Sequence, residues 1–179
     1  MSSSERETQK EARVASIRRT AILAIDYGKA RIGLALADIE TALPRPLATL
    51  ERVNRNEDMR RLREVTREHA VKEIVVGLPL RLDGTRGDMA EEATRFGERV
   101  RKQLGLPVEM VDERLTSWEA ERLLEEQAGK VFHDDTLPAH VHSNVRKKKQ
   151  AARATIDAMA AAVILKEYLE KKQNRGASI

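Results

Sequence analysis

The chain has 179 residues, 41% of them hydrophobic and 35% charged. That is enough apolar material for one core and too much for wholesale disorder. Cysteine is absent, which excludes disulfide scaffolds and thiolate metal sites. The aromatic residues Tyr27, Phe96, Trp118, Phe132 and Tyr168 are scattered, which argues against a base-stacking platform. Thirty-three basic against 29 acidic side chains give a net charge of +4, a mild lean towards polyanions. Nothing resembles a membrane span or a secretory signal, so no membrane partner and a cytoplasmic location are expected.

Residues 1–20 are polar and read as a disordered or loosely helical arm. Residues 21–26 (AILAID) and 31–38 (RIGLALAD) are apolar runs around a turn at Gly28, which predicts a β-hairpin. Pro44 and Pro46 precede a third strand over 47–53. Helical periodicity follows over 57–71, with Asn56 as its N-cap. Residues 73–77 (EIVVG) form a buried-type strand, and 78–87 a loop with Pro79, Gly84 and Gly87. A helix over 88–104 is stopped by Gly105 and Pro107, and 108–112 (VEMVD) is the next strand. Thr116 and Glu119 form a capping box for a helix ending near Gly129. A long loop over 130–144 leads to a final helix over 145–172, with 173–179 a flexible tail. This order predicts one α/β domain, a mixed sheet with helices on its faces.

Three carboxylates break local rules. Asp26 ends an apolar strand, where a charge is costly. Glu113 follows Asp112 at the end of another. Asp157 lies in ATIDAMAAAVIL, where nearly every neighbour is apolar. Each has an ordinary alternative: a turn hydrogen bond at Asp26, a helix-dipole contact at Asp112 or Glu113, an ion pair of Asp157 with Arg153 one turn earlier. Together they point to one place, because strand ends in such sheets gather at one edge. Three convergent carboxylates repel unless cations lie between them, and hard oxygen ligands suit Mg²⁺ or Mn²⁺. Two such ions about 4 Å apart activate water and stabilise the leaving oxygen of a phosphodiester.

Basic residues surround these positions. Lys29 and Arg31 flank the first turn, and Arg114 follows Glu113. Arg146, Lys147, Lys148, Lys149 and Arg153 precede Asp157 without an intervening acid. A nucleic-acid backbone lying along that run is one reading and a solvated helix start the other. The second leaves cations opposing the helix dipole. The loop around Gly77 to Leu80 and Asp83 to Thr85 reads equally as a phosphate cradle or as a tight turn. Asp134, Asp135, His140 and His142 read as part of a mobile loop rather than a metal site, and Trp118 as a packing residue.

The segments IDYGKARIGLALAD, IVVGLPLRLDGTRGDMAEEA, VDERLTSWEAE and KKK…IDAMAAAVIL resemble, in that order, the motifs of the YqgF family. That family is also described as Holliday-junction-resolvase-like and as a pre-16S rRNA nuclease family. The resemblance spans residues 21–171. It implies an RNase H-like fold with a mixed five-stranded sheet, and divalent-metal-dependent cleavage of structured nucleic acid. It places the family's catalytic carboxylates on Asp26, Glu113 and Asp157, the three that the burial argument selects. It also implies a cytoplasmic role at the 5′ end of pre-16S rRNA. The arm and the 130–144 loop depart from the family's compact pattern.

Three functions follow. The first is a nuclease in which Asp26 bridges two ions, Glu113 and Asp157 hold one each or share both, and Lys149 and Arg114 orient the phosphate. Its substrate is pre-rRNA or branched DNA, and its state a monomer or weak homodimer. The second is an actin-like nucleotide-binding ATPase, suggested by Asp26-Tyr27-Gly28 but opposed by the presence of one domain. The third is a non-catalytic RNA-binding assembly factor.

Overall fold

The computed structural model describes residues 20–81, 83–113 and 139–176, with side chains in the last stretch from Ala154 onward. Its elements are β1 (Ala21–Tyr27), β2 (Arg31–Asp38), β3 (Arg45–Glu51), α1 (Arg55–Glu68), β4 (Val71–Leu78), α2 (Asp88–Leu104), β5 (Val108–Asp112) and α3 (Ala139–Gly176). The strands form one sheet in the order β3-β2-β1-β4-β5. β1 pairs antiparallel with β2 and parallel with β4. β3 is antiparallel to β2, and β5 parallel to β4. The predicted mixed five-stranded sheet is therefore the one found.

The central strands are apolar at consecutive positions because both faces of the sheet are covered. Leu23, Ile25, Leu34, Leu36, Ile74 and Val76 pack with Met59, Leu62, Phe96 and Val100 of α1 and α2. The alternate residues Ile22, Ala24, Ala35, Ala37, Val75 and Val111 face Ala161, Ile164, Leu165, Tyr168 and Leu169 of α3. The side chains on this second face are smaller, and α3 lies close over it. Tyr168 donates to Glu73, and Lys172 pairs with Glu73 at 2.7 Å, which anchors the C-terminal half of α3 to β4. Thr49 of β3 donates to the Ala154 carbonyl farther up the helix.

Several boundaries differ from the sequence reading. β3 takes in Arg45 and Pro46 and ends at Glu51. As an edge strand paired only with β2, it tolerates a residue that lacks an N–H. The N-cap of α1 is Asn54 rather than Asn56, and its side chain accepts from the N–H groups of Asn56 and Glu57. That helix stops at Glu68, and Ala70 turns the chain into β4 in the left-handed region, with φ 49°. Helix α3 has 38 residues. Residues 139–144, expected in a loop, and 173–176, expected in a tail, are helical. No Pro or Gly interrupts the chain between Pro138 and Gly176, so nothing stops the helix at either predicted end. The predicted helix near 116–129, Arg114, Trp118, Asp134, Asp135 and residues 1–19 lie outside the described residues.

Candidate active site

The period of two places the candidate carboxylates. On β1, Asp26 continues the Ile22–Ala24 series that faces α3. On β5, Glu113 continues from Val111, just past the strand's end, and its N–H donates to the Leu78 carbonyl at 3.2 Å. Asp157 comes down onto the same face from α3. All three therefore gather at one end of one side of the sheet.

Two glycines beside Asp26 make this possible. Gly33 is its cross-strand partner on β2. A Cβ there would stand 2.0 Å from the Asp157 backbone oxygen. On the other side, the parallel register runs Ile25 to Val76, so Gly77 is the next position along β4. A Cβ on Gly77 would stand 1.6 Å from Glu113 Oε1. The missing side chains leave the space into which α3 settles on one side and the Glu113 carboxylate on the other. A glycine inside a strand pattern marks such an approach. That signal was present in RIGLALAD and IVVGL, although the sequence reading did not assign these roles to Gly33 and Gly77.

The electrostatics fit a cluster of like charges in a low-dielectric setting. The Asp26 carboxyl is pushed up to about 6, first by burial and then by the charge of Asp157. The Glu113 carboxyl is pushed up to about 8 by burial, followed by the charges of Asp26, Asp112 and Glu167. Glu167 was missed by sequence. It lies two turns past Ala160 in the apolar part of α3, and burial raises its carboxyl too. The argument that singled out Asp157, a carboxylate among apolar neighbours, applies equally to the VILKEYL segment.

The donors are all carboxylate oxygens, the ligand chemistry of Mg²⁺ or Mn²⁺. Among the described residues, however, no group of three acidic or imidazole side chains is close enough together to hold an ion as it stands. Asp157 Oδ2 instead accepts from Arg31 Nε. Arg31, expected to contact nucleic acid, is thus engaged within the site. Lys29 is exposed at the tip of the β1–β2 turn. Arg146, Lys147, Lys148, Lys149 and Arg153 lie on the α3 backbone N-terminal to Asp157, and their side chains lie outside the description.

The loop after β4 behaves as a structural turn. The N–H groups of Leu80, Arg81 and Gly84 bond to the carbonyls of Leu78, Thr85 and Arg81. Asp83 accepts from both the N–H and the hydroxyl of Thr85. These donors are spent inside the loop, and the first turn of α2 already carries Asp88 and Glu91, which removes the main support for a phosphate cradle there.

A second feature braces the turn next to Asp26. Arg52 Nη1 donates to the carbonyls of Gly28 and Lys29 at 3.2 and 3.1 Å. Its guanidinium also lies 4.7 Å from the Tyr27 ring centroid and bonds to the buried Asp58 at 3.3 Å. The start of α1 thereby holds the hairpin turn that separates Asp26 from Arg31.

The sheet order, the helices on both faces and the carboxylates at the strand ends define an RNase H-like α/β domain. Residues 20–171 match the family model described as "RuvX: Holliday junction resolvase", and the chain belongs to that family, one of nucleases. A relative from Koribacter versatilis, named "Putative pre-16S rRNA nuclease", is 38% identical over 151 residues, 84% of this chain and 87% of its own. A relative of the same name from Anaeromyxobacter dehalogenans strain 2CP-C is 39% identical over 150 residues, 84% and 96% of the two chains. Among solved structures, T. thermophilus RuvC in complex with a Holliday junction substrate is similar with a TM-score of 0.48 at 14% identity, over 86% of this chain and 96% of that one. No helix among the described residues is long and apolar enough to cross a membrane.

Proposed function

We propose that this chain is a divalent-metal-dependent endonuclease that processes the 5′ end of pre-16S rRNA in the cytoplasm. The observation that carries the reading is the meeting of Asp26, Glu113 and Asp157 on one face of the sheet, with Asp26 feeling the charge of Asp157 and Glu113 that of Asp26. The names of its relatives supply the substrate.

Asp26, Glu113 and Asp157 are the residues that would hold Mg²⁺ or Mn²⁺. When bound, such ions supply an activated water and charge stabilisation at the leaving oxygen. The chain's own part is to fix three carboxylates on a rigid sheet and helix, and to bring the phosphate to them. Lys29 stands exposed at the turn that follows Asp26, and Arg114 and the run from Arg146 to Arg153 would add cations that bind the nucleic-acid backbone. The chain needs no membrane partner and acts as a monomer or weak homodimer.

The test is cleavage of a 5′-extended small-subunit rRNA precursor and of a four-way DNA junction, each with Mg²⁺, Mn²⁺ or EDTA. Metal-dependent cutting of the RNA, lost in Asp26→Asn, is the expected result. Cutting of the junction alone would favour the second reading, a Holliday junction resolvase, which the family description supports. Binding of either substrate without cleavage would leave the assembly-factor reading.

A further inference from the structure

The carboxylates share one face of the sheet but do not close into an ion-holding set, and Asp157 is engaged by a cation from this chain. Arg31 opens β2, two residues before Gly33, so it shares the α3 face and lies one pleat farther towards the sheet end than the point where Asp157 rests. The contact between them spans 126 residues of sequence. It is made across the junction of sheet and helix rather than along a helix turn.

We infer that Arg31 is a built-in counter-cation: it neutralises Asp157 in the metal-free protein and gives Asp157 up when a divalent cation loads, which presents its guanidinium to the substrate phosphate. This rests on the metal-dependent reading proposed above. Three observations support it. Asp157 Oδ2 is taken by Arg31 Nε, so a cation that loads on that oxygen competes with the guanidinium for it. The pair is at the rim, with the Arg31 side chain 32% exposed and Asp157 21%, so exchange needs no opening of the core. Arg31 also feels the charge of Glu51, its cross-strand neighbour on β3, so a released guanidinium keeps a favourable field without Asp157. A guanidinium freed at this edge is suited to planar recognition of a phosphate.

Two measurements on the full chain test this. Mn²⁺ binding is followed by electron paramagnetic resonance for wild type, Arg31→Gln and Arg31→Lys. Arg31→Gln is expected to bind Mn²⁺ at least several-fold more tightly, and Arg31→Lys, which keeps the charge, to stay near wild type. Unchanged or weaker binding by Arg31→Gln would overturn the inference. Absence of Mn²⁺ binding by all three proteins would sink the metal reading itself, which keeps the two failures apart. The second measurement is fluorescence anisotropy of a 5′-extended rRNA fragment, in EDTA and in Ca²⁺. Arg31→Gln is expected to match wild type in EDTA and to lose about tenfold in affinity with Ca²⁺, the size of one charged phosphate contact. An equal loss in both conditions would show that Arg31 meets phosphate whether or not Asp157 holds it, against the coupling.

Discussion

Gly33 lies directly opposite Asp26 in the β1–β2 ladder, and the backbone carbonyl of Asp157 rests on it so closely that a Cβ would stand 2.0 Å from the oxygen. The candidate aspartate of the helix is therefore positioned by its main chain, through the absence of a side chain on the sheet. Gly33→Ala must push α3 away from β2, because the atom it meets is backbone and cannot rotate aside. A loss of about 3 kcal/mol is expected, read by chemical denaturation, together with loss of cleavage. Full activity in a folded Gly33→Ala protein would show that the spacing of Asp157 from Asp26 is not critical.

At Gly77 the added methyl would meet Glu113 Oε1 at 1.6 Å and Ile164 Cδ1 at 2.8 Å. Both are ends of side chains that can shift. Gly77→Ala is expected to cost less stability than Gly33→Ala, about 1–2 kcal/mol, while displacing Glu113 and lowering cleavage by at least tenfold. Comparing the melting temperatures and cleavage rates of the two variants separates a site effect from a folding effect.

Burial and mutual repulsion make the ionised site a burden on the metal-free fold. The Asp26 carboxyl rises from 3.8 to about 6, which opposes the charged form by about 3 kcal/mol once ionisation is complete. For a raised acid the penalty is absent below the unfolded pKa and grows as pH rises towards the folded one. Asp26→Asn is thus expected to match wild type near pH 3.5 and to melt about 5–10 °C higher above pH 7 in EDTA. For Glu113, raised from 4.5 to about 8, the gain in Glu113→Gln continues to grow up to about pH 8. Thermal melts across pH in EDTA check this, and a variant less stable than wild type at pH 8 would contradict it.

On the metal-dependent reading, the same shifts set how metal loading depends on pH. A cation takes the ionised carboxylates, so binding must expel the protons that Asp26 and Glu113 retain. Mn²⁺ affinity is expected to rise from pH 5.5 to pH 8 and to flatten above the Glu113 value of about 8. Calorimetry in buffers of different ionisation enthalpy measures the protons released.

Asp58 is 4% exposed and accepts from Arg52 and from the Val53 N–H at 3.2 Å. Asp58→Ala removes the acceptor that holds Arg52 against Tyr27 and the Gly28–Lys29 turn. A loss of about 3 kcal/mol is expected, with Asp58→Asn costing less because it keeps an acceptor for Val53. Denaturation of the two variants side by side checks the order.

The sequence by itself determined the local elements and the identity of the unusual carboxylates. Apolar runs with glycine and proline punctuation fixed the five strands and α2, whose bounds are those predicted. A charge among apolar neighbours marked Asp26, Glu113 and Asp157, since burying a charge is costly wherever it occurs along the chain. Boundaries failed where local cues were weak: Pro46 looked like a break until edge pairing permitted it, and α3 offered no residue to mark its ends. The tertiary structure decided what depends on residues far apart in sequence meeting in space. The partner of Asp157 described by the structure is Arg31, 126 residues away, where helix spacing alone suggested Arg153. Gly33 and Gly77 acquired their roles from what packs on them, and Glu167 from the β5 end it approaches. A one-dimensional pattern records which side chains are costly to bury, but the compensating neighbour lies across the sheet, and only the packing of α3 on it brings the two together.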